Sequence, residues 1–129
     1  MAYPTGSGSE ILRRGSVNQL SNASTALAFD GTDLSTVANS TNAVPANHIV
    51  TVLNIIICEV GEADETFYIK KQGSTTDNIY LMFDQVIKSK ETFVWDDKIV
   101  LIGGDKLSVN SGGTAAFDIS YCYIDQDWS

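Results

Sequence analysis

The strongest candidate for chemistry in this chain is the Gly103-Gly104-Asp105 triplet inside the stretch IVLIGGDKLSV. Glycines ahead of an acidic residue can open a phosphate loop or a metal loop. A phosphate loop needs a helix behind it, because the helix N-terminus supplies the amides. Here KLSV follows, alternating Leu107 and Val109 as a strand does, and Asp105 occupies the place where a Walker loop needs its lysine. The expectation is a tight hairpin, with Gly103 and Gly104 at positive φ and Asp105 bonding to the turn backbone.

The other reactive side chains give no stronger signal. Asp96-Asp97 and Asp64-Glu65 are neighbours in extended sequence and point to opposite faces, so neither forms an acid/base pair. Asp125 and Asp127 share a face and are expected at a solvated edge. The DGTDLS segment, Asp30 to Ser35, lacks the further acidic ligands and closing glutamate of an EF-hand loop and reads as a turn. His48 has no nucleophile motif to serve and no CxxC or HxH partner for a metal, so a structural role is expected. Cys58 and Cys122 read as free, buried thiols. Trp95, Trp128 or the Tyr121/Tyr123 pair could stack on a sugar, although Tyr121 and Tyr123 fit a core or a subunit seam better. The sequons at Asn22 and Asn39 carry meaning only on a secretory route. No catalytic, cofactor-binding or metal-binding residue is expected, and the chain is not expected to be an enzyme.

Composition narrows the partners. Of 129 residues, 43% are hydrophobic and 19% charged, as in a single globular domain with a real core. Sixteen acidic and eight basic residues give a formal charge of −8, which disfavours nucleic acid. The longest apolar run, Ile55 to Cys58, is far too short to cross a bilayer. MAYPTGSGSE has neither the basic start nor the apolar stretch of a secretory signal, so cytoplasmic synthesis without an export signal is expected.

The elements that must position these residues are strands. VTVLNIIICEV, Val50 to Val60, is β-branched and apolar, as for a strand buried on both faces or nearly so. Asp64 to Lys70 alternates, and IYLMFDQVI places Ile79, Leu81 and Phe83 on one face. Glu91 to Trp95, Lys98 to Ile102, Leu107 to Val109 and Ala115 to Ile124 continue the series, with Ile11 to Val17 and Thr25 to Phe29 ahead of it. The resulting expectation is an all-β, single-domain antiparallel β-sandwich, jelly-roll-like or immunoglobulin-like, over residues 11–129. Residues 1–10 are Gly/Ser-rich with Tyr3 and Pro4 as anchors, and read as a flexible arm. Gly31 to Asn47 is a long polar connection holding Pro45, and segments of this kind are often contact surfaces.

Four segments together carry a resemblance: AVPANHIVTVLNIIICEV, ETFYIKK, YLMFDQVIKSKETFVWDDKIVLIGGDKLSV and AAFDISYCYID. Their order over Ile11 to Asp125 resembles small β-sandwich virion proteins of tailed bacteriophages. The resemblance implies a structural protein of the particle, assembled in the host cytoplasm. It implies first a capsid decoration (cement) protein that binds the outer surface of the major capsid protein and stabilises the head. A neck, tail or fibre module is the alternative within that class, and a carbohydrate-binding sandwich lies outside it. Self-association is expected, with a homotrimer favoured, and no catalytic residue carries over. The contact candidates are Tyr3, Pro4, Arg13, Arg14, Pro45, Trp95 and Trp128.

Overall fold

A computed structural model describes residues 9–20, 24–31, 41–73, 78–111 and 116–128. Tyr3 and Pro4 lie outside them, as do residues 32–40 of the long connection. Among the described residues there are nine strands and no helix. They are β1 (Ser9–Leu20), β2 (Ser24–Ala26), β3 (His48–Glu59), β4 (Glu65–Gln72), β5 (Asn78–Ile87), β6 (Thr92–Trp95), β7 (Ile99–Ile102), β8 (Lys106–Ser111) and β9 (Phe117–Asp127). Ser9 and Glu10, which composition places in the arm, are the first two residues of β1.

Two antiparallel sheets face each other as an all-β sandwich. The first has the order β1-β9-β3, with β6 and β7 both paired to the far side of β3; the second has the order β2-β8-β4-β5. β6 pairs with Ile55 to Cys58 and β7 with Ile49 to Val52, so they form one edge strand broken at residues 96–98. Counted that way, the sandwich is four strands on four. Successive strands cross repeatedly between the sheets, which is the jelly-roll-like form of the two expected.

The core is the ordinary product of strand alternation. Val50, Val52, Ile55 and Ile57 of β3 point inward with Ile119, Tyr121 and Tyr123 of β9, and meet Phe67, Ile69, Leu107 and Val109 from the opposite sheet. The outward residues of β3 are half-buried or exposed, so this strand is fully buried on one face only. Two close fits depend on residue type. Gly15 lies directly across from Tyr121, and a Cβ there would sit 2.3 Å from the Tyr121 ring and hydroxyl. At the other end of the sandwich, the buried Glu59 carboxylate accepts hydrogen bonds from the Gly61 and Ala116 amides, tying the end of β3 to the start of β9.

The Gly-Gly-Asp triplet is a turn but not a hairpin. β7 belongs to the first sheet and β8 to the second, so the triplet carries the chain across the sandwich. Gly104 has φ +91°, whereas Gly103 does not take positive φ. Gly103 is required for room instead: a Cβ there would lie 3.1 Å from the Pro45 carbonyl oxygen and 3.2 Å from the Ala46 Cα. Asp105 bonds the turn backbone as expected, its carboxylate accepting from the Ile102 amide at 3.0 Å. Residue 44 clamps the crossing from outside, with Val44 N donating to the Asp105 carbonyl and Gly104 N donating to the Val44 carbonyl.

β5 departs from simple alternation. Its register against β4 slips twice, between Phe67 and Ile69 and again between Ile69 and Lys70, and each slip adds one residue to β5. Asp84 at φ 49° marks one of these bulges. Ile79, Leu81 and Phe83 therefore do not share a buried face: Leu81 packs on the core, while Ile79 and Phe83 are exposed.

Candidate functional site

Three places on the sandwich combine side chains in ways that the rest of the surface does not. The first is a polar cluster at the end where β1, β3 and β9 meet. Asp125 faces the interior of the first sheet and is 4% exposed. Its carboxylate accepts from Arg13 Nε at 3.2 Å and lies 2.6 Å from His48 Nδ1. His48 Nε2 lies 3.7 Å from the Asp127 carboxylate. Asp125 is thus buried and paired with Arg13, not at a solvated edge, because the register of β9 between β1 and β3 points it inward between the Arg13 and His48 side chains. The imidazole and carboxylate form an oriented pair, but among the described residues no serine, threonine or cysteine hydroxyl or thiol is bonded to it. What the arrangement does is join three strands whose residues are far apart in sequence.

Tyr123 extends this cluster inward, its hydroxyl accepting from the Gly31 amide at 3.0 Å. Burial above all raises its pKa from the ordinary 10.0, against the Gly31 hydrogen bond and the Arg13 charge, which lower it. The folded state thus holds the phenol neutral more strongly than the unfolded chain does. That contribution is complete below about pH 10 and is lost as pH climbs through the raised value. Tyr123→Phe is expected to flatten the loss of stability above about pH 10, read as urea midpoints across an alkaline series. Parallel curves for the two proteins would remove Tyr123 from the alkaline response.

The second place is the outer face of the second sheet. The slips in β5 bring Tyr80 and Phe83, three residues apart, to the same side as Tyr68 of β4. Tyr68 and Phe83 stack with centroids 5.6 Å apart and planes 13° from parallel, and Tyr80 meets both edge-on at 5.6 and 5.0 Å. Phe83 is 61% exposed and Val86 beside it 56%. Lys70, paired with Tyr80, and Asn110, paired with Tyr68, put hydrogen-bonding groups on the rim. The signal for this cluster in the sequence is the count of aromatics in FYIKK and IYLMF; the bulges that gather them leave no local mark.

The third place is the outer face of the first sheet. One row across the strands reads Leu12, Ile124, Thr51, Val100, and another reads Ser16, Ser120, Ile56, Val94. Neither row contains a charged side chain. Between them lie Arg14, Cys122 and Asn54, with the Cys122 thiol donating to the Asn54 side-chain oxygen at 3.3 Å. The serines leave a groove of about 340 Å³ bordered by Ile56, Cys58 and Asp118. Cys58 and Cys122 are both free, and both are half-buried on this outer face instead of buried in the core.

The contact candidates separate accordingly. Arg13 turns inward to Asp125, while its neighbour Arg14 is exposed on the first sheet's outer face. Pro45 heads the turn that ends in the His48 N to Pro45 carbonyl bond, with Asn47 at φ 63°. Trp128 joins the same corner, its amide donating to the Asn47 carbonyl. Trp95 packs against the core and donates its indole N–H to the Asp97 carbonyl, and Tyr121 and Tyr123 are fully buried. The two tyrosines offer no ring face for a sugar, whereas Trp95 is half-buried with one side against the core.

No protein-family model matches the chain, and no curated protein matches it. Solved structures match over most of its length at low identity. A chain of the infectious bursal disease virus Gx strain is 10% identical with a TM-score of 0.48; the match covers 98% of this chain and 32% of the viral one. The globular domain of zebrafish complement 1qA protein is 14% identical with a TM-score of 0.42, covering 93% of this chain and 95% of that one. The CBM22-1 xylan-binding domain of Paenibacillus barcinonensis Xyn10C is 15% identical with a TM-score of 0.37, covering 68% and 64%.

Proposed function

We propose that the protein is a non-enzymatic structural component of a tailed-bacteriophage virion, assembled in the host cytoplasm. Its first role is capsid decoration, as a homotrimer bound to the outer surface of the major capsid protein. The phage assignment is supported by the sequence resemblance over Ile11 to Asp125. The observation that carries a binding role is the exposed Tyr68, Tyr80 and Phe83 cluster, with Val86 beside it. A soluble domain seldom leaves stacked aromatic rings on an open sheet face without a partner to cover them.

Particles lacking the protein should form and then take it up when it is added back, at hundreds of copies per particle. The Tyr80→Ala/Phe83→Ala double variant is expected to bind them about thirtyfold more weakly, as loss of central aromatic anchors does. Particles that need only a few tens of copies, and that fail to attach tails without them, would move the protein to the neck or tail. Unchanged binding by the double variant would take the aromatic face out of the contact.

The same cluster favours a second reading, carbohydrate binding. The flat Tyr68/Phe83 stack with tyrosine hydroxyls and Lys70 at its rim suits the apolar face and hydroxyls of a sugar ring. Glycan-array binding that disappears in Phe83→Ala would establish it.

A further inference from the structure

We propose that the outer face of the first sheet is the surface through which copies of this chain bind one another. This rests on the self-association in the proposed function and names the face that carries it. Charge is the first argument. Each copy carries a formal −8, so two copies repel over most mutual orientations. The two long rows of this face hold no charge, and the charged side chains between and around them, Glu10, Arg14, Lys98 and Asp118, are two of each sign. The outer face of the second sheet, by contrast, has Lys70 and the exposed Asp84 and Lys88 on or beside it.

Exposure and size supply the rest. Leu12 is 70% exposed, Val100 56% and Val94 53%, spread across the full width of the sheet. Four strands at about 4.8 Å spacing and the rise from Leu12 to Asn18 give an outline of roughly 20 Å by 20 Å. That is about 400 Å² in outline, and side-chain relief raises it into the range of a small interface below the ~800 Å² per partner of standard-size ones. The uncharged polar groups here are serine, threonine and asparagine, which can be buried against a second copy, while Arg14 between the rows needs an acidic partner from that copy.

The test is the oligomeric state of the full chain by analytical ultracentrifugation across a concentration series. Val94→Glu and Val100→Asp place a charge in each row, and Val86→Asp does the same on the second sheet as a control. The wild type is expected to associate, and the two first-sheet variants to dissociate about a hundredfold more readily, with Val86→Asp unchanged. Native alkylation of Cys58 and Cys122 in the unmodified wild type provides a readout that needs no variant: both thiols should become less reactive as concentration rises. A wild-type oligomer that survives both first-sheet substitutions, or dissolves with Val86→Asp instead, overturns the face and leaves self-association standing. A wild type that stays monomeric with thiol reactivity independent of concentration overturns both.

Discussion

Replacing Gly15 by valine is expected to destabilise the sandwich by ~3 kcal/mol or more and to lower the melting temperature by roughly 10 °C or more. The Tyr121 ring lies over Gly15 with no room for even one carbon, since a Cβ would meet the ring and its hydroxyl at 2.3 Å. The ring cannot swing away cheaply. Tyr121 is 1% exposed, its hydroxyl donates to the Ala28 carbonyl at 2.6 Å, and it packs against Phe29 and Tyr123. Any added side chain must therefore break that bond or push β1 off β9. A double-mutant cycle isolates the cause. Gly15→Ala and Tyr121→Leu together should cost less than the sum of the two alone by more than ~1 kcal/mol. Strict additivity in urea unfolding would mean that the glycine matters for some other reason.

Asp125→Ala carries the second large effect, an expected loss of about 2–3 kcal/mol. It removes the acceptor shared by Arg13 and His48 and leaves two donors facing a gap. The full cost of breaking a buried pair is not reached, because the Arg13 and His48 side chains are 33% and 20% exposed and water can reach them. Asp125→Asn keeps the volume and one acceptor oxygen, so it should fall between wild type and alanine. Chemical denaturation checks both. A loss under about 0.5 kcal/mol for alanine, the range of ordinary surface changes, would return Asp125 to the solvated edge that composition alone assigns it.

These two positions show what is and is not legible along the chain. Strands β3, β4, β7 and β8 are announced by local alternation and β-branched runs, which depend only on neighbours in sequence. The sandwich follows, because many short strands with turn residues between them have few other ways to bury one face each. Pairing across the molecule leaves no such mark. Gly15 reads as an unremarkable strand glycine until register sets it opposite Tyr121. Arg13, His48 and Asp125 come from three strands and meet only when β9 lies between β1 and β3.

The same limit explains two further misplacements. The Gly-Gly-Asp triplet has the residue types of a hairpin, and what makes it a crossing is that β7 finds β3 and β8 finds β4. Period-two reading puts Phe83 with Leu81 because bulges are features of a strand pair, not of one strand. The aromatic cluster was therefore hidden, while Trp95, Tyr121 and Tyr123, equally aromatic, face the interior.

The pairing of β1 with β9 has a consequence for how the chain is made. Ser9 lies across from Asp127, and Arg13 and Asp125 are 112 positions apart. On a ribosome the first strand emerges long before its partner exists, and β3 waits equally for β9 to fill the place between them. Every residue from β1 through β9 must be out of the ribosome before the first sheet can close, so its folding belongs to the slow, millisecond-to-second class set by distant contacts. During that interval the β-branched run Val50 to Ile57 has no partner on its β9 side, and an unpaired strand edge of this kind is the part of the chain most open to pairing with a neighbouring copy.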